Sequence, residues 1–212
     1  MIDSTAHLEV RHEPFLHYRG SDLLVARDLK LLDATKPDGR HFERLDRSTG
    51  DVRRRYRLSV MPLLNEAQGL TPPYEILSAP WGELIRDLLS DRFADWIRQE
   101  TGFEPQGMGR TSSIFVHRDG DFQDLNTGKL DKKLHVALQL NEDWPSDGGG
   151  AFEFWSGPDR ATGPHSVAMP VGGTCIVYSP TPSSWHRTAP VAEDRGLIRT
   201  WITLSYFDLP KS

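Results

Sequence analysis

The feature that most constrains the fold is a change of pattern near residue 104. Beyond it the chain breaks into short β-prone runs separated by Gly, Pro and polar clusters, at about 109–116, 133–141, 151–155, 166–170, 174–179, 185–189 and 197–207. Several short strands at such spacing point to a sandwich or a jelly roll. Before residue 104 helical signals dominate. Ser21-Asp22 offers a cap for a helix through Leu23–Leu32 that ends before Pro37. A second helical stretch runs from Pro80 to Leu89 and continues or restarts through Arg92–Arg98, with Gly102 as its stop. Between them Arg53–Val60 reads as a strand. No linker, repeat or low-complexity tract divides the chain. The expectation is one domain over 1–212, mainly β (α+β): a jelly-roll core, or double-stranded β-helix, over 105–212. The helices of the accessory region 1–104 pack on one face of it.

Composition narrows the class. The 212 residues suffice for one sizeable core, and 37% hydrophobic with 26% charged residues is ordinary for a soluble globular protein. A formal net charge of −5 provides no basic field for nucleic acid. The single cysteine, Cys175, excludes an internal disulfide framework and fits a reducing cytoplasm. It lies in a strand pattern, where a buried, inert thiol is the plain reading. The N-terminal stretch has no apolar signal core, and no run approaches the ~18 apolar residues of a membrane span.

Chemistry concentrates in a few residues. His-x-Asp/Glu occurs three times, at His7-Leu8-Glu9, His41-Phe42-Glu43 and His117-Arg118-Asp119. Only the third ends a β-prone run, where a rigid strand would aim both side chains; the others read as solvated surface pairs. Of the later histidines, His135 begins an apolar strand and His165 follows Gly163-Pro164 in a turn. His186 is followed by Arg195 in a turn and by Arg199 in a strand. Two imidazoles and a carboxylate on one face of a metal leave three positions open, the facial arrangement of non-heme Fe(II) oxygenases. His117, Asp119 and His186 are therefore the expected iron ligands. Arg199, Trp201, Thr203 and Ser205 share one strand face. A guanidinium there suits the far carboxylate of a dicarboxylic co-substrate.

The stretch from about 109 to 207 resembles the prolyl-4-hydroxylase-like branch of the Fe(II)/2-oxoglutarate oxygenases. Four blocks match in order. The first is His117-Arg118-Asp119. The second is Leu138-Gln139-Leu140-Asn141-Glu142-Asp143-Trp144 with Gly149-Gly150-Ala151-Phe152. The third is Val167–Thr174, a proline followed by a tight turn. The fourth is His186-x-x-x-Pro190 with Arg199-x-x-x-Thr203-x-x-Tyr206-Phe207. The resemblance implies a jelly roll, Fe(II), 2-oxoglutarate and O₂, with succinate and CO₂ as co-products of substrate oxidation, most simply hydroxylation. It implies 2-oxoglutarate contacts from Arg199, Thr203, Gln139 and Phe152. Gln139 stands where family members often place a tyrosine, and the gap from His186 to Arg199 is longer than usual. Asp119 fills the ligand position that halogenases of this fold leave open, so oxygenation rather than halogenation is expected. The expected substrate is a small molecule or amino-acid derivative. A protein prolyl residue and a cupin-like metal protein without oxygenase activity are the alternatives.

Other residues take plainer readings. Arg53, Arg55 and Arg57 form a solvated strand face, Trp144 and Trp155 are core aromatics, and Asp121 and Asp124 are surface charges or substrate contacts. The segment from Gly120 to Lys132 is expected to be a lid hinged at Gly120 and Gly128, closing Phe122 and Leu125 over substrate. The alternative is an ordinary β-connection with those two side chains packed on the barrel.

Overall fold

In the computed structural model, residues 1–49 and 55–209 are described. Alternation along the C-terminal strands sets the architecture. β5 (Gly109–His117), β7 (Lys132–Gln139), β10 (Cys175–Tyr178) and β12 (Arg199–Phe207) each offer apolar residues to both faces, because both faces are covered. They lie side by side in the order β10-β7-β12-β5. The shorter strands β6 (Phe122–Asn126), β8 (Phe152–Phe154), β9 (Ser166–Ala168) and β11 (His186–Thr188) form the facing layer, ordered β6-β11-β8-β9. This is the expected jelly roll.

Four strands come from the region read mainly as helical. β1 (Glu9–Arg11) and β2 (His17–Gly20) extend the larger layer beyond β10. β3 (Glu43–Arg47) pairs with the ten-residue β4 (Tyr56–Asn65). β4 joins the two layers: Ser59–Asn65 pair with β5, whereas Tyr56 and Arg57 pair with β6. The sheet therefore curls within a single strand, helped by an irregularity between Pro62 and Leu64.

The helices are α1 (Ala26–Ala34), α2 (Ala79–Leu88) and α3 (Asp91–Thr101). Ser90 caps α3 through the Phe93 amide, and Gly102 ends it in a left-handed conformation at φ +71°. α1 starts later than its sequence suggests, since Val25 rather than Asp22 is its N-cap. Leu32, Trp81, Leu84, Trp96 and Ile97 pack against Ile114, Val136, Leu138, Val177, Ile202 and Leu204 on the outer face of the larger layer. Each such side chain contributes about 1.5–3 kcal/mol by leaving water. Cys175 is buried in this core, and burial pushes its thiol up to about 12, which keeps it inert. A second cluster fills the space between the layers: Phe15, Ala137, Phe152, Phe154, Ile176, Tyr178 and Trp201.

Part of the segment read as a lid is a strand rather than a loop. Phe122–Asn126 form β6, held between β4 and β11, and Leu125 is buried. Strand pairing outweighs the polar composition that suggested a loop. No helix among the described residues is long and apolar enough to cross a membrane. Of the alternating arginines, Arg53 lies outside the described residues.

Candidate functional site between the two layers

Strand alternation turns Arg199, Trp201, Thr203 and Ser205 of β12 toward the inter-layer space, as their spacing implied. Arg199 pairs with His117 across β5, and Trp201 pairs with Gln139 across β7. Arg199 is 0% exposed, and among the described residues no carboxylate pairs with it. Its Nε donates to Gln139 Oε1 at 3.3 Å and its Nη1 to Thr188 Oγ1 at 3.2 Å, while Nη2 has no partner. Burial lowers its pKa to about 9. The guanidinium lies 4.9 Å from the centroid of the Trp201 ring. A buried cation without a counter-ion is costly unless an anion joins it.

Two further donors stand beside it. Gln139 uses its oxygen on Arg199, which leaves its buried Nε2 unpartnered. The Trp201 indole donates to His117 Nδ1 at 3.3 Å. Burial, then the nearby Arg199 charge, holds His117 well below its usual pKa, so the ring is neutral. An indole only donates, so the imidazole proton sits on Nε2, which is also buried without a partner. Arg199, Gln139 and His117 thus offer buried N–H groups and no free acceptor, a set suited to a carboxylate. Thr203 gives its hydroxyl to Ser113 O at 3.5 Å, and Phe152 stacks on His186 with centroids 5.1 Å apart.

His117, Asp119 and His186 are not brought together. Asp119 lies just past β5, where its Oδ2 accepts from the Gly196 amide at 3.3 Å and its Oδ1 is unpartnered. The ring of His186 lies among Tyr178, His135 and Phe152. His135 pairs with Ser205, six residues along β12 from Arg199, or about 20 Å at the usual rise. Among the described residues no three His, Cys, Asp or Glu side chains gather closely enough to hold one metal ion. The reason is register: β11 lies against β6, so Asn126, not His117, is opposite His186.

Asp121 and Asp124 are not surface charges. Asp121 is buried and accepts from Arg44 through two 2.6 Å bonds, from Arg57 at 3.1 Å and from the Arg118 amide at 2.9 Å. Asp124 binds Arg55 at 2.9 Å and also Arg160. The arginines Arg55 and Arg57 are therefore partners of buried acids. Acid–arginine complementarity between 44–57 and 121–124 was the available signal, but nothing local in the sequence pairs them.

The model of the 2OG-Fe(II) oxygenase superfamily matches residues 105–203, which span the jelly-roll strands described above. Over these residues the chain is similar to the 2OG-Fe(II) oxygenase superfamily. This match supports a 2-oxoglutarate-dependent iron dioxygenase, and the matched family implies Fe(II), 2-oxoglutarate and O₂. The chain resembles a Pseudomonas putida prolyl-4-hydroxylase, with TM-score 0.64 and 15% identity over 92% of this chain and 93% of that one. It also resembles a Trichoplax adhaerens prolyl hydroxylase solved with a hypoxia-inducible-factor peptide, with TM-score 0.53 and 18% identity over 87% and 76%. A third is the epimerase SnoN from nogalamycin biosynthesis, with TM-score 0.55 and 14% identity over 91% and 78%. At these identities the likeness establishes the fold. No curated protein matches the sequence. The buried donors around Arg199 fit 2-oxoglutarate. His117, Asp119 and His186, as arranged in this chain, do not fit a single iron ion.

Proposed function

We propose that the chain, as one domain over 1–212, is a cytoplasmic enzyme that oxidises a small molecule or amino-acid derivative. In this reading it consumes 2-oxoglutarate and O₂ and releases succinate and CO₂. The observation that carries the reading is Arg199, a fully buried guanidinium with an unused N–H and no anionic partner among the described residues. In this reading the far carboxylate of 2-oxoglutarate pairs with Arg199, with Gln139 Nε2 and His117 Nε2 as added donors. Trp201 orients His117 by fixing its tautomer, and Phe152 with Phe154 keeps water out of the interior.

The test is calorimetric titration of 2-oxoglutarate into metal-free protein. Arg199→Ala is expected to weaken binding about 30-fold or more, the equivalent of roughly 2 kcal/mol or above. Equal affinity in the variant, or an equal effect from Arg195→Ala, would remove the assignment. Substrate class is then read by succinate release in two arms, small amino-acid derivatives and proline-containing peptides. Release confined to the peptides would transfer the reading to a protein prolyl hydroxylase.

A further inference from the structure

The curled sheet begins at β1 and ends at β9, and a cavity of about 460 Å³ lies where these two edges approach. That is the size of a small-molecule site. Arg11, Glu13, His17 and Arg19 line it from β1, β2 and the turn between them, and His165 and Ser166 line it from the β9 side. On β2, His17 and Arg19 share one strand face. Their register neighbours on β10, Tyr178 and Ile176, belong to the cluster between the layers, so that face is turned inward.

His17 is the buried acceptor of this cavity. It is 1% exposed, and its ring stacks on Phe154 with centroids 4.0 Å apart. Its Nδ1 lies 2.8 Å from the Phe15 carbonyl, so Nδ1 carries the proton and donates there. Burial lowers the pKa of His17, which keeps the ring neutral. Nε2 therefore presents a lone pair, and it is buried without a partner. A buried acceptor in that position calls for a donor.

Charge in the cavity is unpaired as well. Arg11 is taken up by Glu9 at 2.7 Å. Arg19 is half-buried, its guanidinium 5.7 Å from the centroid of the same Phe154 ring on which His17 stacks. Among the described residues no carboxylate pairs with Arg19 and no cation pairs with Glu13. His12 and His165, also on the lining, are exposed. The cavity thus holds one guanidinium, one carboxylate and one buried imidazole lone pair, all free to meet a ligand.

A simple carboxylate would satisfy Arg19 but set its oxygens against the His17 lone pair. A simple amine would satisfy His17 and Glu13 but leave Arg19 bare. A ligand that carries both charges meets all three. Side chains two residues apart on a strand stand ~6.6 Å apart, a gap that one small zwitterion bridges with a hydrogen bond at each end. We infer that this seam cavity binds a free α-amino acid, its carboxylate on Arg19 and its ammonium on His17 Nε2 and Glu13. The site is separate from Arg199, which lies on β12 with β10 and β7 between it and β2. It does not depend on the 2-oxoglutarate reading.

The experiment is ligand-observed NMR and thermal shift on the full chain with each of the common L-α-amino acids in turn. At least one is expected to bind and to raise the melting temperature. Arg19→Gln should weaken that binding about tenfold or more, since it removes the charged partner of the carboxylate. Glu13→Gln, at an exposed position, should weaken it about threefold. Arg199→Ala should leave it unchanged. The amine without the carboxylate, the acid without the ammonium, and inorganic phosphate should each bind at least about tenfold more weakly than the amino acid. Circular dichroism establishes that each variant is folded; should Arg19→Gln fail this check, Glu13→Gln and the amine and acid decide. The inference is overturned if no amino acid binds, or if folded Arg19→Gln or Glu13→Gln binds normally. It is also overturned if Arg199→Ala abolishes binding, or if the amine, the acid or phosphate binds as well as the amino acid.

Discussion

At Gly150 the backbone has φ +67°, and a β-carbon there would lie 3.3 Å from Arg199 Cδ, Trp144 Cζ2 and Val191 Cγ2. The glycine is needed twice, for its backbone angle and for the close passage of Arg199. Gly150→Ala is expected to cost roughly 1–3 kcal/mol, read as a lower denaturation midpoint. The same variant should weaken 2-oxoglutarate binding, because the added methyl presses on the guanidinium stem. Unchanged stability and binding would show that the neighbours yield freely. His117 makes a second residue-scale case. Its role as an Nε2–H donor depends on the Trp201 N–H holding Nδ1. His117→Leu removes that donor and leaves the buried indole N–H unpaired, a loss of about 1–3 kcal/mol in stability. Calorimetry on metal-free protein should show weaker 2-oxoglutarate binding as well. A variant that binds normally would exclude His117 from the carboxylate site.

β6 shows what an element gains from its neighbours. Taken alone, Phe122–Asn126 is a polar five-residue run between turns at Gly120 and Gly128. In the fold it is gripped by β4 on one side and β11 on the other. Its acids meet arginines delivered from β3, from β4 and the chain just before it, and from Arg160. Truncating Leu125, which is 3% exposed, to Ala should cost about 2–5 kcal/mol. Amide exchange in 122–126 should match the protection of β11 whether or not substrate is present. Fast exchange that slows on adding substrate would restore the lid reading. The ion pairs around Asp121 matter for the same reason. Replacing Asp121 by Ala leaves two guanidiniums facing each other beside a buried gap. Its cost should exceed that of Asp147→Ala, whose pair with Arg195 is exposed.

On the scale of the molecule, three neutral histidines lie inside one shell. Burial lowers His135 to about 3 and His186 to about 4, and His117 well below 6.5. Because the folded pKa values are depressed, the unfolded chain binds more protons at mildly acid pH. The stability contributed by neutral burial is therefore complete above about 6.5 and declines as pH falls toward the folded values, by up to about 1.4 kcal/mol per pH unit for each group. Thermal unfolding of the chelator-treated protein should show a melting temperature that falls steadily from pH 7 to pH 5. A flat profile would mean that these rings are solvated. Three helices packed on the outer face of the larger layer, and strands β1 to β4 extending it, make the described residues before 105 part of the same core.

The amino-acid pattern by itself determined the jelly roll. Period-two alternation and glycine or proline punctuation are local signals, and seven of its strands lie within a few residues of their sequence runs. It also picked out Arg199, because a lone guanidinium inside an apolar strand has few other uses. Tertiary structure decided the rest. Which side chains face His186 depends on the register between strands distant in sequence, and that register put Asn126 and Gly128 beside β11 while His117 went to Arg199. A His-x-Asp spacing describes how two residues are aimed from one strand; it carries no information about which strand lies opposite. β6 likewise became a strand through hydrogen bonds and ion pairs with β4 and β11, partners that a sequence window cannot contain.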